Sequence, residues 1–233
     1  MDTRSTAMLP IDTPSPPGAV PPAAYFDQVP LHIHDHLCAF VHRRSERDRL
    51  LLPYLHDGLR AGQACLCVLP TGAGAAVTEV LADAVPAGCE YLLQVVDPSS
   101  CYLRTGRFDP AATVEFFDIW TRSAVERNGG KPVRIACDMS WAHELISPSF
   151  VQDLAGYEAR FDRWARFCPQ VSVCLYDLEQ FGGSVLIPVI RTHPRVWLSG
   201  VVVDNPYCTH DPYSTHDEAL ATQERIPVDR DKR

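Results

Sequence analysis

The sequence predicts an α/β domain of three layers, a mostly parallel sheet flanked by helices. Apolar runs of strand length alternate with amphipathic stretches of helix length between about residues 36 and 204. Most of the runs are continuously apolar, so both faces of each strand are covered. Strand and helix in regular alternation imply parallel pairing through helical crossovers.

HLCAFVH (36–42) is the first strand and SERDRLLLPYLHDGLRAG (45–62) the first helix, with Ser45 placed to cap it, Asp48 as reciprocal partner, and Gly58 and Gly62 near its end. QACLCVLP (63–70) is a second strand that turns through TGAGA into a helix at about 74–85. EYLLQVVD (90–97) is the third strand. The helix that follows, 109–130, opens on Asp109 as N-cap with Pro110 in the first turn. VRIACDM (133–139) is the fourth strand, and a helix at about 148–167 carries Phe150, Leu154, Tyr157, Phe161 and Trp164 on one face. VSVCLYD (171–177) is the fifth strand, SVLIPVIRTH (184–193) a helix kinked near Pro188, and VWLSGVVVD (196–204) a final strand.

Two tails flank this domain. Residues 1–29 are rich in proline, alanine and small polar residues, and 209–233 are polar and aperiodic, so neither is expected to hold a fixed structure. The domain is expected over 30–208. Nine cysteines without a secretory leader read as reduced thiols in a cytoplasm. A net charge of −8, with no basic stripe, argues against direct nucleic-acid binding, and no apolar run is long enough to span a membrane.

Familiar catalytic patterns are missing where they would have to stand. A phosphate loop needs glycines and a lysine before Ser or Thr in the first strand-to-helix turn, and this turn reads HRRSER. Arg43 and Arg44 beside a helix N-terminus could still hold an anion, or be solvated. The GAG after the second strand lacks an acidic partner and reads as a tight turn. HELIS (143–147) has Ser where a zinc-protease helix needs its second His, and there is neither a G-x-S-x-G elbow nor a C-x-x-C pair.

LHIHDHLCAF (31–40) raises a separate question. Period two puts His32, His34, His36 and Cys38 on one face of an extended chain. That face suits a metal, and it also suits the polar entrance of a buried strand. A second polar group gathers at the expected carboxyl ends of the strands, where open α/β sheets bind ligands. It comprises Asp138, Trp141, Tyr176 and Asp177 and suits a small-molecule pocket or a structural hydrogen-bond network. His36, at the amino end of its strand, falls at the opposite edge; Arg134 and His193 are further polar residues near the sheet.

Several patches occur together in one order: HLCAFVH (36–42), PYLHDGLRAGQ (53–63), YLRTGRFD (102–109), RIACDMSW (134–141), YEARF (157–161), CLYD (174–177), HPRV (193–196) and NPY (205–207). Their order and spacing resemble the MEDS domain, the sensory domain of methanogens, methylotrophs and a dichloromethane-responsive regulator, over residues 35 to 208. The resemblance implies a RecA/KaiC-like core with a decayed phosphate loop. It implies a sensing role toward small carbon compounds, with output through a partner. The family's recurring polar positions fall on His36, Arg134, Trp141, Tyr157, Glu158, Tyr176, Asp177, His193 and Asn205. Asp138 stands where the family has Glu, and Cys208 where it commonly has a further Tyr. Of the three alternating histidines only His36 falls on a family position, which favours the strand entrance over a metal site on His32, His34 and His36.

The expectation is a non-enzymatic cytoplasmic sensory module. Its ligand would be held by His36, Arg134, Asp138, Trp141, Tyr157, Glu158, Tyr176, Asp177 and His193. With no output segment beside the domain, it would act on a separate signalling protein: a kinase-like ATPase, an anti-sigma component or a transcription factor. A homodimer is compatible with this, and the sequence names no cofactor. The alternatives are a metal or haem sensor using the N-terminal histidines, a degenerate nucleotide sensor, and an enzyme of unassigned chemistry built on Asp138, Cys137, Tyr176 and His193. The last is weakened by strand alternation, which sends Cys137 and Asp138 to opposite faces.

Overall fold

The computed structural model describes residues 21–209. The chain enters through a hairpin, β1 (Ala24–Phe26) and β2 (Val29–Leu31). Asp27 and Gln28 turn it with φ of 48° and 66°, the positive pair that matches strand twist in a two-residue loop. Phe26 is fully buried, edge-on to Tyr54 and Trp197 at centroid distances of 5.8 and 6.1 Å. The expected tail boundary at residue 29/30 therefore cuts through packed structure. Strands of three residues carry no readable periodicity, and Asp-Gln lacks the glycine that would announce the turn. Residues 1–20 and 210–233, with most of the THD repeats, lie outside the described residues.

The main run is β3 (His36–Val41), α1 (Arg43–Arg60), β4 (Cys65–Val68), α2 (Gly74–Val80), β5 (Leu93–Val96), α3 (Pro110–Arg127) and β6 (Val133–Asp138). A 3-10 stretch, Met139–Leu145, then leads to α4 (Pro148–Ala165), β7 (Gln170–Asp177), α5 (Gly183–Ile190), β8 (Arg195–Leu198) and β9 (Val201–Asp204). The sheet has the order β5-β4-β6-β7-β3-β8-β9, parallel throughout except for β9. Every residue of β3, β4 and β6 is buried, as continuously apolar strands require. The three-layer α/β expectation holds.

Crossover handedness places the helices. α1 and α2 carry the chain from β3 toward the β5 edge, while α3, α4 and α5 carry it back toward β8. Right-handed crossovers in opposite directions put the two groups on opposite faces. α3 packs on α4 and α4 on α5, while α1 covers the other face together with the hairpin. Each strand therefore sends alternate side chains to an α1 face and an α4 face.

Capping follows the sequence expectation at Asp109, adds Ser147 at α4, and departs from expectation at the first helix. Asp109 accepts the N–H groups of Ala111 and Ala112, and Ser147 accepts that of Phe150. The first helix begins at Arg43, two residues before the expected start, so Ser45 is not its cap. The His42 N–H instead donates to the Glu46 carboxylate at 2.6 Å, and a carboxylate is stabilised by the helix dipole there. The expected single strand 196–204 is a hairpin: Ser199 and Gly200, with φ of 50° and 87°, reverse the chain between β8 and β9.

Gly58 lies against Arg134, the long cation buried beneath α1. A Cβ there would stand 2.6 Å from Arg134 Cδ and 2.9 Å from Cys65 Sγ. Alanine normally stabilises a helix interior over glycine by about 1 kcal/mol. Gly58→Ala should instead lose about 1–3 kcal/mol by overpacking, read as a lower urea midpoint. An unchanged midpoint would mean that Arg134 moves aside freely.

Candidate functional site

A crevice of about 760 Å³ opens beyond the carboxyl ends of β3, β6 and β7. α1 contributes Arg43, Arg44 and Arg47, the strand ends Asp138 and Asp177, and the 3-10 stretch Trp141, His143 and Glu144. Parallel strands all end on this side, and the N-terminus of α1 opens onto it. Open α/β sheets place ligand sites here.

The crevice is matched in charge by its own residues. Arg47 is buried and bonds Asp138 Oδ2 at 2.5 Å and Asp48 Oδ1 at 2.6 Å. The second Asp138 oxygen accepts the Ser140 N–H at 2.9 Å, starting the 3-10 stretch. Arg43 pairs with Glu179 at 2.7 Å and Arg44 with Asp48 at 3.5 Å. The backbone N–H of Arg43 approaches Asp177 Oδ1 at 3.4 Å, from a left-handed φ of 66°. Carboxylates of Glu46 and Asp177 thus occupy the helix N-terminus where an external anion would otherwise bind. Trp141 stacks on Tyr102 at a centroid distance of 4.5 Å, and its buried indole N–H makes no hydrogen bond.

A second polar group lies on the α4 face, sealed from water. Glu158 of α4 is fully buried. Its Oε1 accepts the Tyr176 hydroxyl at 2.5 Å, and its Oε2 lies 3.5 Å from both His36 Nε2 and His193 Nε2. Cys174 Sγ lies 3.5 Å from His36 Nε2 and 3.9 Å from Glu158 Oε2. Asp162, one turn beyond Glu158, stands 3.7 Å from His36 Nδ1. Burial depresses the His36 pKa, but Asp162 and Glu158 beside it more than offset this and leave it raised. Burial would raise Glu158, yet the imidazoles and Tyr176 hold it below its ordinary value. His193 goes the other way, to about 4, through burial first and then the neighbouring His36. The three groups share one buried space and shift against one another, His36 upward and Glu158 and His193 downward.

Arg134 belongs to neither group. From the α1 face of β6 it donates to Gln63 Oε1 at 2.6 Å, to the Tyr54 carbonyl at 2.5 Å and to the Ala23 carbonyl at 3.4 Å. It ties the hairpin to α1 and β4. Tyr157 packs between Tyr102, Phe108 and Phe161, its hydroxyl 3.4 Å from that of Tyr102. Asn205 donates to the carbonyls of Ile190 and His193, holding the segment that carries His193.

The nine residues picked from the sequence therefore fall in separate places. Asp138, Trp141 and Asp177 line the crevice; His36, Glu158, Tyr176 and His193 share the buried cluster; Tyr157 and Arg134 stand apart. Tyr176 and Asp177 adjoin in sequence yet face opposite layers, which corrects their assignment to one pocket. The expected common face of His32, His34 and His36 is also overturned. The strand begins at His36, while His34 sits in a turn with φ of 81° and its ring donates to the Cys168 carbonyl at 2.7 Å. Cys137 and Asp138 do point to opposite faces, and burial pushes the Cys137 thiol well up, away from the thiolate a nucleophile needs. The sequence analysis missed Arg47, Cys174 and Asp162. Arg47 stands in the stripe Leu50, Leu51, Tyr54, Leu55 at helical spacing, and a charge in such a stripe was the available signal.

Removing one half of the Arg47–Asp138 pair strands the other. Arg47→Ala should destabilise by about 3–5 kcal/mol in chemical denaturation, and the double variant Arg47→Met/Asp138→Leu should recover most of it. A double variant no better than the single would place the loss in packing rather than charge.

Among the described residues no helix is long and apolar enough to cross a membrane. Compared with known proteins, the chain is 25% identical over 162 residues to the transcriptional repressor DcmR of Methylorubrum extorquens (strain DSM 6343 / CIP 106787 / DM4). That alignment covers 69% of this chain but only 58% of the repressor, so the chain corresponds to part of that relative. Together with the sensory family it supports a regulatory, sensory role. The family pattern described as MEthanogen/methylotroph, DcmR Sensory domain matches residues 35–194, from the turn before β3 to the start of β8. The match takes in both polar groups, and the chain belongs to the MEDS family of sensory domains.

Proposed function

We propose that the chain is a non-enzymatic sensory module that takes a small ligand in the crevice at the carboxyl ends of β3, β6 and β7. Occupancy would be passed on by contact with a separate protein, a signalling ATPase, an anti-sigma component or a transcription factor. The observation that carries the ligand class is the internal charge match. Arg43, Arg44 and Arg47 stand with Asp138, Glu144 and Asp177 around the crevice, and the α1 N-terminus already has Glu46 and Asp177. A polyphosphate would have to displace those carboxylates. A small neutral or zwitterionic molecule would not, and Trp141 in the crevice lining offers it an aromatic surface to pack on.

The same features support descent from a RecA/KaiC-like nucleotide-binding core. The strand order is compatible with such a core, and the turn from β3 into α1 is where its phosphate loop would sit. Here that turn carries arginine in place of glycine and lysine. On this reading the crevice kept its position and changed its ligand.

The test uses the full chain purified from its own host. Native mass spectrometry should reveal a small co-purifying molecule, and calorimetric titration with it should show at least about tenfold weaker binding for Trp141→Ala, one anchoring contact being worth about 1.4 kcal/mol. Titration with ATP and Mg²⁺ should show no heat of binding. Nucleotide binding lost in Arg43→Ala/Arg44→Ala would replace this reading with a nucleotide sensor. A pulldown that returns only the chain itself would remove the partner.

A further inference from the structure

We propose that His36, Glu158, Cys174 and His193 form a buried four-coordinate site for zinc(II), independent of the crevice. Their candidate ligand atoms all lie within 4.8 Å of one another. The measured separations are 3.5 Å from His36 Nε2 to Cys174 Sγ and to Glu158 Oε2, 3.5 Å from His193 Nε2 to Glu158 Oε2, and 3.9 Å from Cys174 Sγ to Glu158 Oε2. A tetrahedral ion with zinc–ligand bonds of about 2.0–2.3 Å separates its donors by about 3.3–3.8 Å. Four of the six separations stand at or near that range, and the remaining two lie within 4.8 Å.

The surrounding groups are arranged as a metal site needs them. His193 Nδ1 donates to the Val189 carbonyl at 2.9 Å, which leaves the Nε2 lone pair facing inward, and that buried nitrogen makes no hydrogen bond. His36 Nδ1 looks toward the Asp162 carboxylate at 3.7 Å, the carboxylate–histidine arrangement that orients ligating imidazoles. Tyr176 holds Oε1 of Glu158, leaving Oε2 for the centre. One sulfur, two imidazoles and one carboxylate suit a borderline cation and disfavour calcium or magnesium, which take oxygen ligands. On binding, zinc(II) gives up its coordinated waters as bonds form to His36 Nε2, His193 Nε2, Glu158 Oε2 and Cys174 Sγ, and the thiol proton, with any proton on a ligating nitrogen, passes to the buffer.

The four ligands come from β3, α4, β7 and the turn before β8, so the ion would fasten four segments far apart in sequence. All four are buried, and loading therefore requires opening or folding around the metal. A hydrogen-bonded network of the same residues is the competing account, and it predicts no metal.

The full chain is unfolded with a chelator, refolded with or without Zn²⁺, freed of excess metal and analysed for bound ion. One zinc per chain should be retained by the sample refolded with zinc. X-ray absorption should count one sulfur and three nitrogen or oxygen neighbours. Refolding with Co²⁺ should give tetrahedral visible bands and a sulfur-to-cobalt charge-transfer band. Cys174→Ser should lose that band, whereas His32→Ala/His34→Ala should keep it. The X-ray count needs no variant, so it decides the matter even if Cys174→Ser misfolds. A natively folded chain that retains no metal overturns the proposal. So does a site with more than one sulfur, or metal lost on removing His32 and His34.

Discussion

Glu158 is a carboxylate with no contact to water, and a buried charge left alone costs several kcal/mol. That cost organises the α4 face. The groups that meet it come from β3, β7 and the segment after α5, and they arrive together only if the sheet has the register observed, with His36 opposite Ser172 two residues before Cys174. A slip by one residue in β3 or β7 would turn His36 or Tyr176 and Cys174 toward α1 and leave Glu158 unmatched. The carboxylate therefore selects one pairing among several that apolar β-strands would otherwise tolerate.

The α1 face solves a similar problem with longer side chains. Arg134 and Arg47 both enter the layer between α1 and the sheet, and each ends on acceptors that fix something else. Arg134 ends on the carbonyls of Tyr54 and Ala23 and so brings the entry hairpin onto α1. Arg47 ends on Asp138, whose other oxygen starts the 3-10 stretch that carries Trp141. The shape of the crevice thus depends on an ion pair beneath it. Gly58 is the space that Arg134 needs, which is why a residue that weakens an isolated helix stands in the last turn of this one.

How much of this was legible follows from the range of each signal. Strand and helix content came through because β3, β6 and β7 are long and apolar, and α4 has a clean stripe. The β1–β2 hairpin and the Ser199–Gly200 turn were lost because two- and three-residue features carry no period. The polar residues singled out from the sequence were grouped as one ligand set, whereas the structure distributes them over two separate groups, with Tyr157 and Arg134 apart from both. Sequence places Tyr176 beside Asp177, whereas period two in an extended strand sends them to opposite layers. Cys174 stands in the apolar run VSVCLYD, where cysteine commonly packs as a small hydrophobe. Only the positions of His36, Glu158 and His193, set by three other elements, give it a polar context. Glu158 and Asp162 lie four residues apart beside the α4 stripe, and that pair of carboxylates was the local hint that a polar core lay beneath.

The two polar groups are separate in chemistry yet share a strand. Along β7, Cys174 and Tyr176 face Glu158 while Leu175 and Asp177 face the crevice. Asp177 accepts the Arg43 N–H at the start of α1, and Tyr176 one residue earlier holds Glu158 on α4. A ligand that drew Asp177 away from α1 would have to move β7, and β7 cannot move along its axis without disturbing the contacts of Glu158. The buried cluster resists that displacement through several bonds at once, and a metal there would resist it more strongly. If the crevice takes a ligand as proposed, the parts not anchored by β7, the start of α1 and the 3-10 stretch at Trp141, would move more readily than the sheet itself.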